Sequence, residues 1–599
     1  MNKIFWEMSS TKIPQKVEVS KIEAEKNNSV EVAYLIAKFL KERGVDRIFG
    51  ICGGHILPIW DYLNQLGIKI IDVRDERIAV HMAQAYTELT GNIGVATVTA
   101  GPGMTNAVTG IANAHISRVP LLVISGIPPR PQKYMNPLQE LPQVDIVKPI
   151  CRYARTIAYA PHVLRELDEA FACAKGQGNE PGPSFIDFPT DLLRETLSKD
   201  MVDDDLFGER KEYFSIPDAK VIDVAVEMLW SAGKPLIMTG RGARGSQQEI
   251  IKLLDMLKPV YLDTTESRGM VPDDHPSNMP ASRGRAMEEA DVLMTIGRSM
   301  DFQLAYGSRA IFPNTRFIRI GTCAAELRMN RRGDVEIWGT VSKVLEMMIE
   351  RGARKTSCVD KDWIRDIRTC NDERRKKLNA DMKKAPAGSN GAMHPYRLLG
   401  AIRDYLNKDA IIITDGGDIL SFARISLNGG IHMDPGGFGC LGVGVPFGIC
   451  AALVHPDRQV IVVVGDGAFG LSAMDIDTAK RHKAKVVFVV ANNASWSIER
   501  NDQIERFNGR IVATELPSCD YAGMARSLGL HGERIEDPSN LASAIDRAFK
   551  SAPALLDVVV SREASSPDAK SGLPIIPDFQ PLGVWDQKER ARIKKASQE

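Results

Sequence analysis

The feature that most constrains the fold is a pair of short apolar runs separated by a helical pattern. Residues 460–464 and 486–491 are continuous apolar runs, and residues 470–482 between them have the spacing of a helix. This order predicts one βαβ unit with two parallel strands. A right-handed crossover brings both strand ends to the same edge of the sheet, where open α/β sheets bind ligands. The residues that follow the two strands are therefore expected to share one crevice.

Those residues have the chemistry of a metal and phosphate site. Gly465-Asp466-Gly467 follows the first run, and Asn492-Asn493 follows the second. Asp466 and Asn493 offer the oxygen ligands that Mg²⁺ prefers, and the glycines leave backbone N–H groups free for a diphosphate. With a main-chain carbonyl and two phosphate oxygens they would nearly complete an octahedron. The pattern predicts a magnesium-diphosphate site, against the alternative of an ordinary glycine turn and a surface Asn pair.

A GDG sequence followed at this distance by an NN pair resembles the cofactor motif of the thiamine-diphosphate (ThDP) enzymes. The resemblance implies that Asp466, Asn493 and the backbone carbonyl of Ser495 bind Mg²⁺. It also implies that the Gly439 carbonyl accepts a hydrogen bond from the 4′-amino group of the cofactor, and that Leu441 is the apolar wedge that bends it into a V. The cofactor-binding residues implied in this way are Gly53, Gly54, Glu76, Gly416, Gly417, Gly439, Leu441, Gly465, Asp466, Gly467, Ala468, Asn493 and Ser495.

The resemblance requires a second element, because ThDP needs a carboxylate at its N1′ atom. This carboxylate shifts the aminopyrimidine toward the tautomer that deprotonates thiazolium C2. Arg74-Asp75-Glu76-Arg77, followed by small residues, resembles the family segment in which a glutamate begins a helix. Glu76 is therefore the predicted catalytic glutamate. The alternative is an exposed charge at a helix start, which the helix dipole favours.

The first third of the chain repeats the pattern of the last third. Residues 94–100, the turn Gly101-Pro102-Gly103, a helical stretch and residues 119–125 have the same order of strand, glycine turn, helix and strand. One half would supply a glutamate and the other a metal site, with the cofactor held between them. In the ThDP family these halves come from different subunits. The resemblance therefore implies a homodimer or homotetramer with active sites between subunits.

The predicted fold class is α/β, with three doubly wound parallel-sheet domains and a lid-like C-terminal tail. Polar stretches at 199–213 and 351–395 are expected to separate the domains. The predicted divisions are an N-terminal extension (1–28), a pyrimidine-binding domain (29–198), a central domain (214–350), a domain that binds diphosphate and Mg²⁺ (392–560) and a lid segment (561–599).

The central domain has no GDG sequence and no equivalent of Glu76. Its glycine-rich stretch 240–245 follows an apolar run, so a nucleotide phosphate is one candidate ligand, although a lone motif of this kind is weak. In relatives this domain binds FAD, ADP or the adenine end of coenzyme A, or nothing. The sequence leaves these alternatives open.

Composition narrows the class of partner. The 599 residues contain 76 basic and 76 acidic side chains, which argues against a nucleic-acid or membrane-surface protein. No apolar run is long enough to cross a bilayer, and residues 1–28 lack the apolar centre of a signal peptide. The nine cysteines form no C-x-x-C pair and are typical of a reducing compartment. We expect a cytoplasmic enzyme that acts on a small molecule.

Local departures from known subfamilies bear on the reaction, since the cofactor motifs are shared. Acetolactate synthases have a tryptophan where this chain has Asp502, and Pro-Gly-Gly where it has Cys-Gly-Gly at 52–54. Enzymes that resemble pyruvate decarboxylase have paired histidines in the first domain, which residues 128–143 lack. They do share a glutamate at the position of Glu499.

Three further predictions concern substrate chemistry. Glu499 would lie on the helix just past the metal, where burial beside apolar neighbours raises its pKa and makes it a candidate proton shuttle. The alternative is a surface glutamate paired with Arg500. Gln139 matches a glutamine that many relatives direct at the substrate, and Gly53 and Gly54 leave room beside the C2 carbon. The predicted catalytic residues are thus Glu76, Glu499 and Gln139.

The tail completes the functional prediction. Residues 561–599 are too apolar for plain disorder and too rich in proline for one helix, which favours a lid over the active-site mouth. The tail, Glu499 and the missing tryptophan resemble the bacterial 2-hydroxyacyl-CoA lyases, which cleave or form 2-hydroxyacyl-CoA from formyl-CoA and an aldehyde or ketone. The alternatives are an acetolactate-synthase-like or decarboxylating enzyme acting on pyruvate or another small free acid, and a non-catalytic ThDP-binding subunit. Intact Glu76, Asp466 and Asn493 argue against the last.

Overall fold

The structure is a computed structural model that describes residues 28–177, 180–211, 213–572 and 576–598. The predicted N-terminal extension lies outside them except for its last residue, as do residues 573–575 of the tail. The described chain forms three parallel sheets flanked by helices and a tail, so the predicted fold class is confirmed. No helix within the described ranges is long and apolar enough to cross a membrane.

The first domain is a six-stranded parallel sheet between helices, with an added antiparallel pair. The sheet order is β3-β2-β4-β5-β7-β6, and β1 pairs with β8. The strands are β1 (Ser29–Glu31), β2 (Arg47–Gly50), β3 (Lys69–Asp72), β4 (Gly94–Val98), β5 (Leu121–Ile127), β6 (Tyr153–Thr156), β7 (Pro183–Pro189) and β8 (Thr196–Ser198). The helices are α1 (Val32–Glu42), α2 (Leu57–Gln65), α3 (Glu76–Thr90), α4 (Pro102–Ile116), α5 (Gln143–Val147), α6 (Val163–Ala174) and α7 (Thr190–Leu193).

The central domain is a five-stranded parallel sheet in the order β10-β9-β11-β12-β13. Its strands are β9 (Pro235–Thr239), β10 (Val260–Leu262), β11 (Val292–Ile296), β12 (Arg316–Gly321) and β13 (Val335–Trp338). Its helices are α8 (Ala219–Trp230), α9 (Gln247–Leu257), α10 (Arg283–Glu289), α11 (Ala324–Arg328) and α12 (Val341–Gly352), and α13 (Lys361–Lys384) leads to the third domain.

The third domain repeats the order of the first, as β15-β14-β16-β17-β19-β18. Its strands are β14 (Ile411–Asp415), β15 (Ile431–Met433), β16 (Val460–Gly465), β17 (Val486–Asn492), β18 (His531–Ile535) and β19 (Ala554–Val559). Its helices are α14 (Pro395–Tyr405), α15 (Asp418–Ser426), α16 (Gly444–Val454), α17 (Asp466–Gly470), α18 (Ile476–Arg481), α19 (Ser497–Arg506), α20 (Tyr521–Ser527) and α21 (Leu541–Lys550), and the tail contains α22 (Pro567–Lys570) and α23 (Gly583–Ala596).

The first and third domains share a hydrophobic core. Helix α3 packs on α16, and side chains from both helices belong to one buried cluster that includes Ile78, Met82 and Phe447. Arg74 extends the contact at the surface by pairing with Asp477. The two domains therefore form a continuous body within one chain.

One local expectation is wrong. The predicted helix over 470–482 is divided, because Ser472 leaves the helical region at φ −141° before α18 begins. The polar stretch 351–395, expected to separate the second and third domains, contains the 24-residue helix α13. Asp360 caps this helix by accepting from the backbone N–H groups of Asp362 and Trp363. Its apolar residues Trp363, Ile367 and Met382 are buried.

Candidate functional site

A cavity of about 270 Å³ lies at the carboxyl edge of the third sheet, where β14, β16 and β17 end. It is the crevice that the βαβ argument predicts. The site residues predicted in the third domain all line it: Gly416, Gly417, Gly439, Leu441, Gly465, Asp466, Gly467, Ala468, Asn493, Ser495 and Glu499.

Asp466 begins α17 directly after β16 and is 2% exposed. Its Oδ2 accepts a hydrogen bond from the backbone N–H of Ser495 at 3.2 Å. Burial raises the pKa of this carboxyl to about 6, although backbone N–H donors such as that of Gly467 oppose the shift. A desolvated carboxylate with only neutral hydrogen-bond donors is a strong ligand for a cation.

Asn493 follows β17 and faces the same cavity. Its Nδ2 donates to Ser497 Oγ, which leaves Oδ1 buried and without a hydrogen-bond partner among the described residues. An orphaned buried oxygen is costly unless a ligand meets it. Asp466, Asn493 Oδ1 and the carbonyl of Ser495 thus offer the hard oxygen donors that Mg²⁺ takes in proteins. The residues present fit a magnesium-diphosphate group.

Glycine is needed at two positions of this cradle. Gly439 has φ +67°, a left-handed conformation that a side chain would strain. A Cβ at Gly467 would lie 2.7 Å from the ring of Trp496, so no larger residue fits there without displacing the indole. The backbone can therefore approach a ligand closely at both places.

Asp415 is a residue of this site that the sequence argument missed. It ends β14, is fully buried and accepts from the N–H groups of Gly442 and Gly444 at 2.9 and 2.8 Å. These bonds hold the segment that carries Gly439 and Leu441. Burial raises the pKa of Asp415 to about 6. Its position at the end of a strand of the same sheet, directly before the Gly416-Gly417 pair, was the available signal.

Glu499 lies in the first turn of α19 and faces the cavity. Its pKa is raised, first by desolvation and then by the charges of Asp418 and Asp502. Arg500, the alternative partner, pairs with Glu515 at 3.2 Å instead. The surface ion pair that was the alternative for Glu499 is therefore not formed.

The predicted residues of the first domain gather around the turn that follows β4. Glu76 begins α3, is 7% exposed and accepts from Asn106 Nδ2 at 3.0 Å. A Cβ at Gly103 would be 2.9 Å from Glu76 Oε1, and one at Gly53 would collide with Thr99 at 2.3 Å. The missing side chains allow Gly103 to pack closely on Glu76 and Gly53 to pack closely on Thr99.

Gln139 belongs to the same group, while Gly54 borders it. Gln139 has φ +67° and packs on Gly101, where an added Cβ would be 2.9 Å from Gln139 Cβ. Gly54 directly follows Gly53, and a Cβ there would meet nothing within 4 Å. Within one chain, however, none of Glu76, Gln139, Gly53 and Gly54 lines the 270 Å³ cavity. The structure brings the predicted residues together in two groups, one per domain.

The glycine-rich turn of the central domain is already occupied by protein. The N–H groups of Gly240 and Gly242 donate to the carbonyls of Ile296 and Gly297 at 3.0 Å. Arg241 pairs with Glu88 of α3 at 3.0 Å. These N–H groups are not free to bind a phosphate. Of the alternatives for the central domain, this turn favours the one in which it binds no nucleotide.

A second cavity, of about 900 Å³, adjoins the first between the central domain, the third domain and the tail. The two cavities share five lining residues: Gly416, Gly417, Gly439, Leu441 and Ile498. Six arginines line the larger one: Arg268, Arg283, Arg374, Arg375, Arg403 and Arg424. The tail contributes Pro567, Asp568, Pro581, Leu582 and Trp585. Three aspartates, Asp263, Asp273 and Asp568, also line it, so arginines outnumber carboxylates. The cofactor crevice therefore opens into a large chamber with an excess of positive charge.

The three parallel sheets, the glycine turns around the cavity and the oxygen ligands of the third domain are typical of an enzyme that binds a cofactor. Comparison with known families identifies its class. The N-terminal TPP binding domain of thiamine pyrophosphate enzymes matches residues 30–146, the central domain of those enzymes matches residues 222–348, and the C-terminal TPP binding domain matches residues 419–558. The chain belongs to the thiamine pyrophosphate enzyme family.

Similar proteins are named for two different kinds of enzyme, an acetolactate synthase and 2-hydroxyacyl-CoA lyases. A probable acetolactate synthase of Mycobacterium bovis is 32% identical over 543 residues, covering 89% of this chain and 96% of that protein. A 2-hydroxyacyl-CoA lyase 2 of Caenorhabditis elegans is 32% identical over 553 residues, 85% of each chain. A 2-hydroxyacyl-CoA lyase 1 of Mus musculus is 29% identical over 566 residues, 90% of this chain and 95% of that protein.

Proposed function

We propose that the protein is a ThDP- and Mg²⁺-dependent lyase that cleaves 2-hydroxyacyl-CoA to formyl-CoA and an aldehyde or ketone, or catalyses the reverse reaction. The observation that carries the proposal is the 900 Å³ cationic cavity beside the cofactor crevice. Its volume is near the upper end of the roughly 300–1,000 Å³ typical of small-molecule and cofactor sites. A free three-carbon acid needs far less space, whereas an acyl-CoA has a long arm and several phosphates.

Arg283 is the cation that most favours an anionic ligand. Its guanidinium donates to the carbonyls of Asp263 and Gln303 at 3.1 Å and pairs with no described carboxylate within 4 Å. Burial lowers its pKa to about 10. The charges of Asp263 and Asp301 favour the protonated guanidinium, but neither carboxylate pairs with it directly. A desolvated guanidinium without a direct ion pair is costly, and phosphate oxygens match its planar donors. The phosphates of coenzyme A are the complementary groups in an acyl-CoA.

The proposed reaction breaks the bond between the thioester carbon and the hydroxyl-bearing carbon. Glu499 takes the hydroxyl proton as the aldehyde or ketone forms, and returns a proton to the former thioester carbon as formyl-CoA forms, so atoms and charge balance. Glu76 would hold a proton against N1′ of the pyrimidine when the cofactor is bound. When bound, ThDP supplies the nucleophilic carbon and the electron sink. Leu582 and Trp585 of the tail help to exclude water from the chamber.

We also propose that each active site is completed by two chains. Glu76 and Gln139 do not line the cavity that Asp466 and Asn493 line in their own chain. A second copy that presents its first domain to this cavity would supply the missing glutamate. A homodimer is the smallest assembly that provides it, and a homotetramer can contain two such pairs. We also propose that this assembly lies in the cytoplasm.

Product analysis tests the reaction. The holoenzyme, loaded with ThDP and Mg²⁺, is incubated separately with 2-hydroxyacyl-CoAs of several chain lengths and with pyruvate, and the products are quantified by mass spectrometry. We expect formyl-CoA and the matching aldehyde in equal amounts. If CoA thioesters are left intact while pyruvate is decarboxylated or condensed, the lyase proposal is wrong.

Arg283→Gln tests the coenzyme A arm. The variant should raise KM for the acyl-CoA roughly tenfold, as expected for one lost phosphate contact, and leave kcat nearly unchanged. It should have no effect on a truncated pantetheine thioester, which lacks the nucleotide phosphates. Arg285→Gln is the matched control, because Arg285 lies on the same helix but pairs with Glu289 and does not line the cavity. Equal effects on both thioesters would contradict the assignment.

A second candidate is an acetolactate-synthase-like enzyme or a decarboxylase acting on a small free acid. It is favoured by the 32% identity to the mycobacterial protein of that name. In the product assay it predicts carbon dioxide and acetolactate from pyruvate. In the Arg283→Gln test it predicts no change in KM for pyruvate.

A further inference from the structure

The turn at 493–495, which carries two of the proposed metal ligands, is hydrogen-bonded by the first residues of the tail. Strand β19 pairs with β17 in register, with Asn492 opposite Val559, so the chain that leaves β19 passes beside the turn that follows β17. Arg562 lies in that chain. Its Nε donates to the carbonyl of Asn493 at 3.1 Å, and one terminal nitrogen donates to the carbonyl of Ala494 at 3.0 Å.

The turn needs such support because its backbone is strained. Ala494 has φ +52°, the left-handed region that non-glycine residues rarely adopt. This conformation carries the chain from the Asn493 side chain to the Ser495 carbonyl. A strained turn persists only where its surroundings fix it. On its other side, Leu516 N–H donates to the Ala494 carbonyl at 2.8 Å and Trp496 N–H to the Thr514 carbonyl at 2.8 Å.

We propose that Arg562 is a positioning residue for the divalent-cation site. By holding two consecutive carbonyls in one planar fork, it fixes the turn so that Asn493 Oδ1 and the Ser495 carbonyl present their oxygens to one ion. The proposal rests on the magnesium-diphosphate part of the proposed function and is independent of the reaction catalysed. Arg562 itself touches neither the metal nor the substrate in this arrangement.

This assignment divides the tail into two parts with different tasks. Residues 561–572 brace the third domain: Arg562 holds the metal turn, the Ser566 N–H donates to Asp418 at 3.3 Å, and the Asp568 N–H donates to Ser421 Oγ at 3.1 Å. Helix α23 instead docks on the central domain, where Glu589 accepts from Ser308. Loss of the whole tail should therefore weaken metal binding, whereas loss of the distal part alone should not.

Binding of ThDP measured against Mg²⁺ and against Ca²⁺ tests the proposal. Mg²⁺ demands near-ideal octahedral geometry, while Ca²⁺ accepts irregular ligands. We expect Arg562→Gln to weaken Mg²⁺-supported ThDP binding by roughly 10- to 100-fold, the range for residues that orient metal ligands. Ca²⁺-supported binding should weaken less. Arg562→Lys, a single point charge without the planar fork, should give an intermediate loss.

Matched variants separate positioning from general stability. Glu515→Gln removes the carboxylate that pairs with Arg562 at 3.2 Å but keeps both carbonyl contacts, so its Mg²⁺ affinity should stay close to wild type. A chain ending after Gly572 should also keep that affinity, and one ending before Ser561 should lose it as Arg562→Gln does.

Wild-type affinity in Arg562→Gln, or equal losses with Mg²⁺ and Ca²⁺, overturns the positioning role and leaves the cofactor site standing. A wild-type protein that binds no ThDP with Mg²⁺ overturns the proposed site and this inference together.

Discussion

The first and third domains have the same strand order and the same register, yet they carry different chemistry. Val98 lies opposite Ser125 in the first sheet, as Val464 lies opposite Val490 in the third. Counted from these pairs, Ala100 and Pro128 of the first domain occupy the places of Asp466 and Asn493 in the third. Neither Ala100 nor Pro128 has a side-chain oxygen, so the first domain cannot form the same metal site.

The difference teaches that the topology supplies an edge, and the residues after the strands decide what binds there. The first domain uses its edge to present Glu76, which begins α3 after β3. The third domain uses the same edge for the hard oxygen donors of Asp466 and Asn493. ThDP has a pyrimidine end and a diphosphate end, and the two domains match one end each.

Each of the two sheets has one buried aspartate at an equivalent position, and the two differ in their partners. Asp187 lies opposite Thr156 in the first sheet, and Asp557 lies opposite Arg534 at the equivalent place in the third. Asp557 pairs with Arg534 at 2.7 Å, whereas Asp187 accepts from the neutral side chain of Gln143 at 3.1 Å. Burial raises the pKa of Asp187 to about 6. The first sheet thus tolerates a carboxylate without a cation.

The largest effect is expected from Asp466→Ala. Removal of the only carboxylate among the three proposed metal ligands should abolish detectable binding of ThDP with Mg²⁺, since the diphosphate would lose its bridging cation. Isothermal titration calorimetry measures the affinity for ThDP in the presence of Mg²⁺. Asp546→Ala is the control, because Asp546 lies in the same domain but pairs with Lys550 away from the cavity. Retained affinity in Asp466→Ala would contradict the metal assignment.

Glu76→Ala should separate activation from binding. The variant should still bind ThDP with Mg²⁺, because the metal site in the third domain is unchanged. Exchange of the C2 proton for deuterium should slow by orders of magnitude, roughly 10²- to 10⁴-fold for a lost proton-transfer group. Quenched-flow exchange followed by NMR checks this. Normal exchange would remove Glu76 from the catalytic role.

Glu499→Gln should affect turnover alone. The carboxamide keeps the shape of the side chain but cannot carry a proton, so kcat should fall by roughly 10²-fold or more while ThDP affinity is kept. Steady-state kinetics with the accepted substrate, alongside calorimetry, gives both values. An unchanged kcat would mean that the raised pKa of Glu499 serves no catalytic step.

Asp187→Asn should change stability in a pH-dependent way. The pKa of Asp187 rises from 3.8 to about 6 on folding, so the folded state holds its proton more tightly and loses stability as pH increases through that window. The loss is complete above about pH 6 and is at most about 3 kcal/mol. The variant should therefore melt a few degrees higher than wild type at pH 7.5 and show little difference near pH 4.

The matched change in the third domain should have the opposite sign. Arg534→Gln leaves the Asp557 carboxylate buried without its cation, which should lower stability by about 2–4 kcal/mol at pH 7.5. Differential scanning fluorimetry of both variants across pH gives the comparison. If Asp187→Asn lowers the melting temperature as much as Arg534→Gln does, the two sheets do not differ in the way described.

Much of this molecule could be predicted from its sequence because the deciding patterns are local. The apolar runs before Gly465 and Asn493 specify two neighbouring strands, and the sheet then forces their following residues into one crevice. Gly439 and Leu441 were found only by resemblance to the family, because their local sequence does not indicate a cofactor contact.

The residues that were missed depend on contacts between distant parts of the chain. Arg562 reaches the metal turn only because β19 pairs with β17, and Arg283 lines the large cavity only because the central and third domains meet there. Helix α13 was not predicted, because its sequence is mostly charged. Its signal was present, since Asp360 is an N-cap residue and Trp363 and Ile367 lie one helical turn apart.

The most direct test of the composite site uses two inactive chains together. Glu76→Ala and Asp466→Ala chains, each with a different affinity tag, are coexpressed and the mixed assembly is purified through both tags. If each site takes Glu76 from one chain and Asp466 from the other, the mixed dimer contains one intact site. We predict one rapidly exchanging ThDP per mixed dimer, half the wild-type value. Complete absence of rapid exchange would show that both residues act within the same chain. It would contradict a site formed by the first domain of one subunit and the third domain of the other.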